Sequence, residues 1–144
     1  MYKCLAKVLC NRLAGILPEI INPAHSAFIQ GRDIVGNILI CQDLIMLYKR
    51  KTCSPRIMLK IDLQKAYDSV EWEFLKRMLE CLGFPVSLTN LIMECVSSTS
   101  YSLAVNGETF GYFQGKRGLR QGDPLSPLFF TICLEYLSRL LEGI

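Results

Sequence analysis

From Tyr2 to Leu17 the apolar residues Leu5, Val8, Leu9, Leu13 and Ile16 recur at three- and four-residue spacing, with Lys3, Lys7 and Asn11 on another face. That period predicts an amphipathic helix, and Pro18 is expected to end it. Asn22-Pro23 marks a break, and Gly31 precedes a second helical pattern for which Asp33 is placed as the cap. Ile34, Ile38, Leu39, Leu44, Ile45 and Leu47 carry that pattern to the basic cluster Lys49 to Lys51. Positive charge suits a helix carboxyl end, so the cluster reads either as a solvated terminus or as part of a nucleic-acid surface.

Beyond a loop from Thr52 to Arg56, the run Ile57-Met58-Leu59-Lys60-Ile61-Asp62-Leu63 predicts a short apolar strand with a carboxylate near its end. Asp68 with Glu71 three residues on has capping-box spacing, ahead of a core-facing stripe of Val70, Phe74, Leu75, Met78, Leu79 and Leu82 that Gly83 and Pro85 close. A further helix spans Val86 to Val96. Tyr101 to Val105 and Thr109 to Phe113 flank Asn106-Gly107-Glu108, a strong hairpin signal. A glycine-containing loop follows, and Ser126 is placed as the cap of a last helix with Pro127 at its first position, apolar nearly all round to Leu141. Helices, strand, helices, hairpin and helix in that order predict one α+β domain with helices packed on a small antiparallel sheet.

Hydrophobic residues make up 51% of the 144 residues, which excludes an intrinsically disordered chain and implies surfaces that want a cover. No apolar run reaches the roughly 20 residues of a membrane helix, because Gln42 with Asp43 and Glu135 interrupt the longest ones. No secretory signal is recognisable at the amino terminus. The 7 cysteines are scattered and never form C-x-x-C pairs, which predicts free thiols in the core of an intracellular protein rather than a disulfide or zinc framework. A net charge of +3 is too mild to demand nucleic acid by itself. The basic residues nevertheless gather near particular segments, among them Lys3, Lys7, Arg12, Arg32, Lys116, Arg117 and Arg120.

The sharpest candidate for chemistry is Asp62. Burying a carboxylate beside Leu59, Ile61 and Leu63 costs several kcal/mol unless a cation or hydrogen bonds compensate it. Two-metal phosphoryl transfer needs carboxylates that hold two ions about 3.5–4 Å apart. A strand-end aspartate that caps a turn is the competing reading of the same residue.

Asp62 has company. Lys60-Ile61-Asp62-Leu63-Gln64-Lys65-Ala66-Tyr67-Asp68-Ser69-Val70-Glu71-Trp72 resembles the first palm motif of the reverse-transcriptase domain of LINE-type (non-LTR) retrotransposons. Gly118-Leu119-Arg120-Gln121-Gly122-Asp123-Pro124-Leu125-Ser126-Pro127-Leu128-Phe129-Phe130 resembles the next palm motif, Arg-Gln-Gly-x-Pro-Leu-Ser-Pro. Upstream, Ser26-Ala27-Phe28-Ile29-Gln30-Gly31-Arg32-Asp33-Ile34 with Asn37-Ile38-Leu39 is similar to a fingers motif of that family. The three stand in the family's order and span most of the chain.

The resemblance implies a right-hand polymerase fragment with an incomplete palm, residues 1–56 forming fingers-like helices and residues 57–144 a palm portion. It implies an RNA-directed DNA polymerase working in the nucleus with an RNA template, a DNA primer and deoxynucleoside triphosphates, with the rest of a polyprotein as neighbour. Asp62 would be catalytic and bind Mg²⁺, with the Leu63 carbonyl as a further ligand. Tyr67 would sit under the incoming sugar and leave no room for a 2′-hydroxyl, unless it is simply a core aromatic. Gln121 and Gly122 would lie against the nascent base pair, with Lys65 and Ala66 also at the nucleotide. Arg32 would reach triphosphate or template, unless it pairs with Asp33 or Asp43. Asp68, Glu71, Trp72, Ser126 and Pro127 would be architectural, and His25 is assigned no catalysis.

The departures set the limits of that reading. An Arg-Pro-containing fingers strand precedes Tyr2 in relatives, and the hairpin with paired aspartates would follow the final helix, beyond Ile144. Lacking those carboxylates, the chain is expected to polymerise nothing alone. A group II intron maturase shares the palm and is a close variant. A non-catalytic retroelement remnant that binds nucleic acid through its basic surface, and a helical interaction protein, are the rivals of another class.

Overall fold

The computed structural model describes residues 2–48 and 57–143. In chain order the elements are α1 (Tyr2–Ile20), α2 (Ile34–Leu47), α3 (Ala66–Ser69), α4 (Trp72–Cys81), α5 (Val86–Ser97), β1 (Ser100–Val105), β2 (Glu108–Gln114) and α6 (Ser126–Glu142). The mixed α+β class is as expected, but the layering is not. Helices pack on helices: α4 lies against α5 and α6, and α1 and α3 against α6. The core gathers Ala6, Leu9, Leu13 and Leu17 of α1, Leu75, Met78 and Leu79 of α4, Ile92 and Val96 of α5, and Leu128, Phe129 and Ile132 of α6. The β1–β2 hairpin is antiparallel, and every residue of both strands is exposed. Its turn is the expected one, with Asn106 at φ 51° and Gly107 at φ 86°, the left-handed pair that a two-residue loop requires.

Pro18 does not stop α1, which runs to Ile20. A proline near the last turn removes only one backbone bond, and burying Leu17 and Ile21 on either side offsets it. Arg32 finishes the job. Its Nη1 donates to the carbonyls of Asn22 (2.6 Å) and His25 (2.7 Å), and its Nη2 to those of Pro18 (2.8 Å) and Ile21 (2.9 Å). The guanidinium therefore satisfies carbonyls that the helix end leaves open, with charge of the right sign.

The segment between α1 and α2 is tied to α6. Buried Glu135 accepts from the Asn22 backbone N–H (2.9 Å) and from Arg139 Nε (2.9 Å), and His25 Nε2 meets Ser138 Oγ at 2.6 Å. Asp33 caps α2 as expected, its carboxylate accepting from Val35 N at 3.0 Å. No residue of α2 is buried, so its apolar side chains face outward. The Lys49 to Lys51 cluster and the loop from Thr52 to Arg56 lie outside the described residues.

Two predicted caps are corrected. Asp68 does not open the long helix: it lies within the short α3, Val70 breaks the path in extended backbone, and α4 starts after Glu71, which makes no side-chain cap bond. The break frees the Val70 carbonyl, which a continuing helix would pair with Phe74 N, to accept from Gly118 N at 2.8 Å. Ser126 is likewise not the cap of α6 but its first residue, and its hydroxyl donates to the Arg120 carbonyl at 2.6 Å. The end of α4 is as expected. Gly83 at φ +81° donates to Glu80 O and Phe84 donates to Leu79 O, both at 3.0 Å, a Schellman closure.

Candidate functional site

Residues 57–63 do not form the predicted strand. A strand needs a neighbour for its N–H and C=O groups, and the β1–β2 pair is the whole sheet among the described residues. Ile57 is 95% exposed, and Asp62 is exposed as well. The desolvation penalty that made a cation attractive at Asp62 is therefore absent here. Among the described residues no group of three or more His, Cys, Asp or Glu side chains could hold a metal. Asp62 supplies one carboxylate, which is not a metal centre.

The two palm-like segments do meet, and backbone holds them together. Gly118 N donates to Val70 O at 2.8 Å and Leu119 N to Tyr67 O at 2.9 Å. Trp72 Nε1 donates to Gly118 O at 2.8 Å. Gly118 stands at φ +92°, and a Cβ there would lie 3.2 Å from Asp68 Cα and 3.3 Å from Asp68 O. Only glycine meets both demands, left-handed backbone and close approach. Lys65 at φ 50° turns the chain into α3.

Tyr67 is thereby fixed at both ends. Its carbonyl is bonded to Leu119, and its ring lies 5.2 Å from that of Phe130 at 58°. Beside it opens a recess of about 560 Å³ lined by Tyr67, Gln121, Gly122, Asp123, Pro124, Ser126 and Pro127. Gly122 at φ +82° turns the corner, with nothing within 4 Å of where a Cβ would stand. Its glycine requirement is thus conformational in this chain rather than one of close approach to a protein neighbour.

The recess brings together three of the candidate nucleotide contacts, Tyr67, Gln121 and Gly122. Leu63 and Ala66 line a separate apolar recess with Val70, Phe74, Phe130 and Cys133. Lys65 and Asp62 are exposed outside both. Arg32 makes four hydrogen bonds to backbone carbonyls, an architectural place rather than one poised over a ligand.

Asp123 escaped the sequence reading. The residue is 9% exposed, and its carboxylate accepts from Leu125 N at 3.0 Å through Oδ1 and from the Tyr2 hydroxyl through Oδ2. The one local signal was an acid between the motif's glycine and proline. Its partner 121 residues away left none. Burial first, and then the bond to Asp123, push the Tyr2 phenol well above its ordinary value. Burial pushes the Cys133 thiol up to about 12 and also raises that of Cys95, where the Asp123 charge adds.

The cysteines otherwise correct the core expectation. Cys95 is buried, Cys10 and Cys133 are half-buried, and Cys4, Cys41 and Cys81 are exposed free thiols. Cys41 is exposed because α2 buries nothing. Cys53 lies outside the described residues. No described helix is long and apolar enough to cross a membrane.

The model of a family described as reverse transcriptase (RNA-dependent DNA polymerase) matches residues 1–144. The chain is 29% identical over 141 residues to the transposon TX1 uncharacterized 149 kDa protein of Xenopus laevis, covering 98% of this chain and 11% of that protein. It is 28% identical over 103 residues to a retrovirus-related Pol polyprotein from a type-1 retrotransposable element R2 of Popillia japonica, covering 72% and 17%. It is 27% identical over 142 residues to the polyprotein of the type-2 element R2DM of Drosophila melanogaster, covering 94% and 13%. The chain thus spans less than a fifth of the length of each of these relatives.

Proposed function

The chain belongs to the reverse transcriptase family, and from that premise we propose that it is the fingers and partial palm of a non-LTR retrotransposon polymerase whose Tyr67 recess receives the end of an RNA–DNA duplex. Residues 1–56 take the fingers side and residues 57–144 the palm side of that enzyme, which copies RNA in the nucleus. The family works on nucleic-acid template and substrates, and the relatives are parts of large polyproteins.

One observation carries the reading. Three hydrogen bonds, Gly118 to Val70, Leu119 to Tyr67 and Trp72 to Gly118, join the two palm-like segments so that an aromatic residue and an amide side chain flank one opening. An aromatic face suits stacking against a base or sugar, and Gln121 offers both a donor and an acceptor to a base edge. Tyr67 is proposed to exclude ribonucleotides by occupying the place of a 2′-hydroxyl, while Gln121 and Gly122 lie against the nascent pair.

Reverse transcriptases use divalent metal, and Asp62 with the Leu63 carbonyl is the proposed contribution of this chain to a magnesium site. An exposed lone carboxylate does not build that site from the described residues. Accordingly these residues bind a duplex end without extending it.

The test is fluorescence anisotropy with a labelled DNA primer on an RNA template, paired with a primer-extension assay in Mg²⁺. Binding that weakens as salt rises and weakens again in Tyr67→Ala and Gln121→Ala, with no extension, is the expected result. Extension that disappears in Asp62→Ala would show that the chain holds a working centre. Absence of any duplex binding would overturn the recess assignment.

A further inference from the structure

Gln121 and Gly122 form an exposed corner shared by two clefts. One is the Tyr67 recess. The other, of about 590 Å³, has Tyr2, Lys3, Ala6 and Lys7 of α1 as its opposite wall. Nothing stands within 4 Å of a Cβ built on Gly122, so the corner gains little from packing at its tip, and its place is set by its flanks. On one flank the Arg120 carbonyl accepts from Ser126 Oγ at 2.6 Å. On the other stands buried Asp123, whose two oxygens accept from different parts of the molecule, Leu125 N at the start of α6 and the Tyr2 hydroxyl in the first turn of α1.

We propose that Tyr2 and Asp123 are a positioning pair: the hydroxyl carried by α1, bonded to the Asp123 carboxylate, fixes the Gln121–Gly122 corner between α1 and α6 and sets the opening of the recess.

The alternatives for Asp123 fit less well. Each of its oxygens already accepts a hydrogen bond from the protein, so the carboxylate is not presented to a ligand as a bare anion. A purely local turn role would need Leu125 N alone, and the bond to Tyr2 spans 121 residues. Around it, α1 has one other bond to this loop, from Cys10 Sγ to Pro124 O at 3.5 Å, which is weak for a thiol donor. Tyr2 is therefore the principal polar tie between α1 and the corner among the described residues. With its phenol held above its ordinary value, Tyr2 remains a donor at neutral pH.

The role of the recess as a duplex site rests on the function proposed above, whereas the effect of the pair on the corner does not. Two readouts on the 144-residue chain separate them. In ¹H–¹⁵N spectra, Tyr2→Phe removes a single oxygen and is expected to move the Gly122 amide and the Gln121 side-chain amide while leaving those of Leu79 and Ile92 in place. Asp123→Asn keeps an acceptor for Leu125 N and a hydrogen-bonding group for Tyr2, so it is expected to restore most of what Asp123→Ala loses. In anisotropy with the RNA–DNA primer–template, Tyr2→Phe is expected to weaken binding by at most about tenfold, because the bond orders the corner without touching the duplex and its full worth, that of one hydrogen bond to a charged group, is the ceiling. The salt slope should not change, because no cation is removed.

Corner resonances in Tyr2→Phe that coincide with wild type would overturn the pair, whereas moved resonances with unchanged duplex affinity would uphold the pair and overturn the recess as the duplex site. If wild type binds no duplex while Tyr2→Phe still moves the corner, the recess assignment fails and the mechanical role of the pair stands.

Discussion

Single residues decide whether the two palm-like segments meet. Gly118 has a φ of +92°, and a methyl group added there would lie 3.2 Å from the Asp68 backbone, so Gly118→Ala is expected to lower stability by roughly 2–4 kcal/mol, combining backbone strain with a clash. Gly36 lies in α2 with nothing within 4 Å, and Gly36→Ala is expected to be neutral or stabilising by up to about 1 kcal/mol. Urea melts of the two variants test the contrast, and equal effects would refute it. Cys133 yields a pH prediction with a definite sign. Burial raises its folded pKa from 9.0 to about 12, so the folded state keeps a proton that the unfolded state releases. The stability linked to it is complete below pH 9 and is lost as pH rises through about 12. The melting temperature of wild type should therefore fall more steeply than that of Cys133→Ala between about pH 9 and 11, and parallel curves would contradict the assignment. At this scale Tyr67, Gln121 and Gly122 were legible through the resemblance of their two segments to palm motifs of one family, which implies a shared site, and they line one recess. The exposure of Asp62, the burial of Glu135 and the Tyr2–Asp123 bond were not, since each depends on partners supplied or withheld by distant segments.

At the scale of elements, local periodicity located α1, α2, α4, α5, α6 and the hairpin, and failed where tertiary contacts outvote local signals. Pro18 reads as a stop, yet buried Leu17 and Ile21 and the Arg32 clamp carry the helix past it. Residues 57–63 have the composition of a strand but no strand beside them to pair with. Asp68 and Ser126 have capping chemistry, but the backbone turns elsewhere at Val70 and around Asp123. Arg32 gives the element-scale prediction. Lysine cannot reach four carbonyls with one ammonium, so Arg32→Lys is expected to cost about 2–4 kcal/mol of stability while duplex affinity of the folded protein holds. Thermal melts and anisotropy together decide it. Preserved stability with weakened binding would return Arg32 to the nucleotide.

Across the whole molecule, one helical core coexists with a bare apolar surface. Ile40 is 60% exposed on α2, Tyr112 76% exposed on β2 and Ile57 95% exposed before α3. With such apolar side chains exposed, the chain is expected to bind the dye ANS and to self-associate as concentration rises. Sedimentation velocity at increasing concentration tests this, and a strictly monomeric chain that binds no dye would contradict it. The family was legible from the sequence because three different segments resemble three of its motifs and stand in its order. The helix-on-helix layering was not, because the hairpin's alternation resembles that of a half-buried strand pair whether or not a core lies behind it.

The proposed function requires that the opening beside Tyr67 receive the duplex end. A primer–template with 5-iododeoxyuridine at the primer terminus, irradiated with the chain and mapped by peptide mass spectrometry, tests it most directly. Adducts on the peptides holding Tyr67 and Gln121 are the predicted result. Adducts confined to α2 or to the β1–β2 hairpin would contradict it.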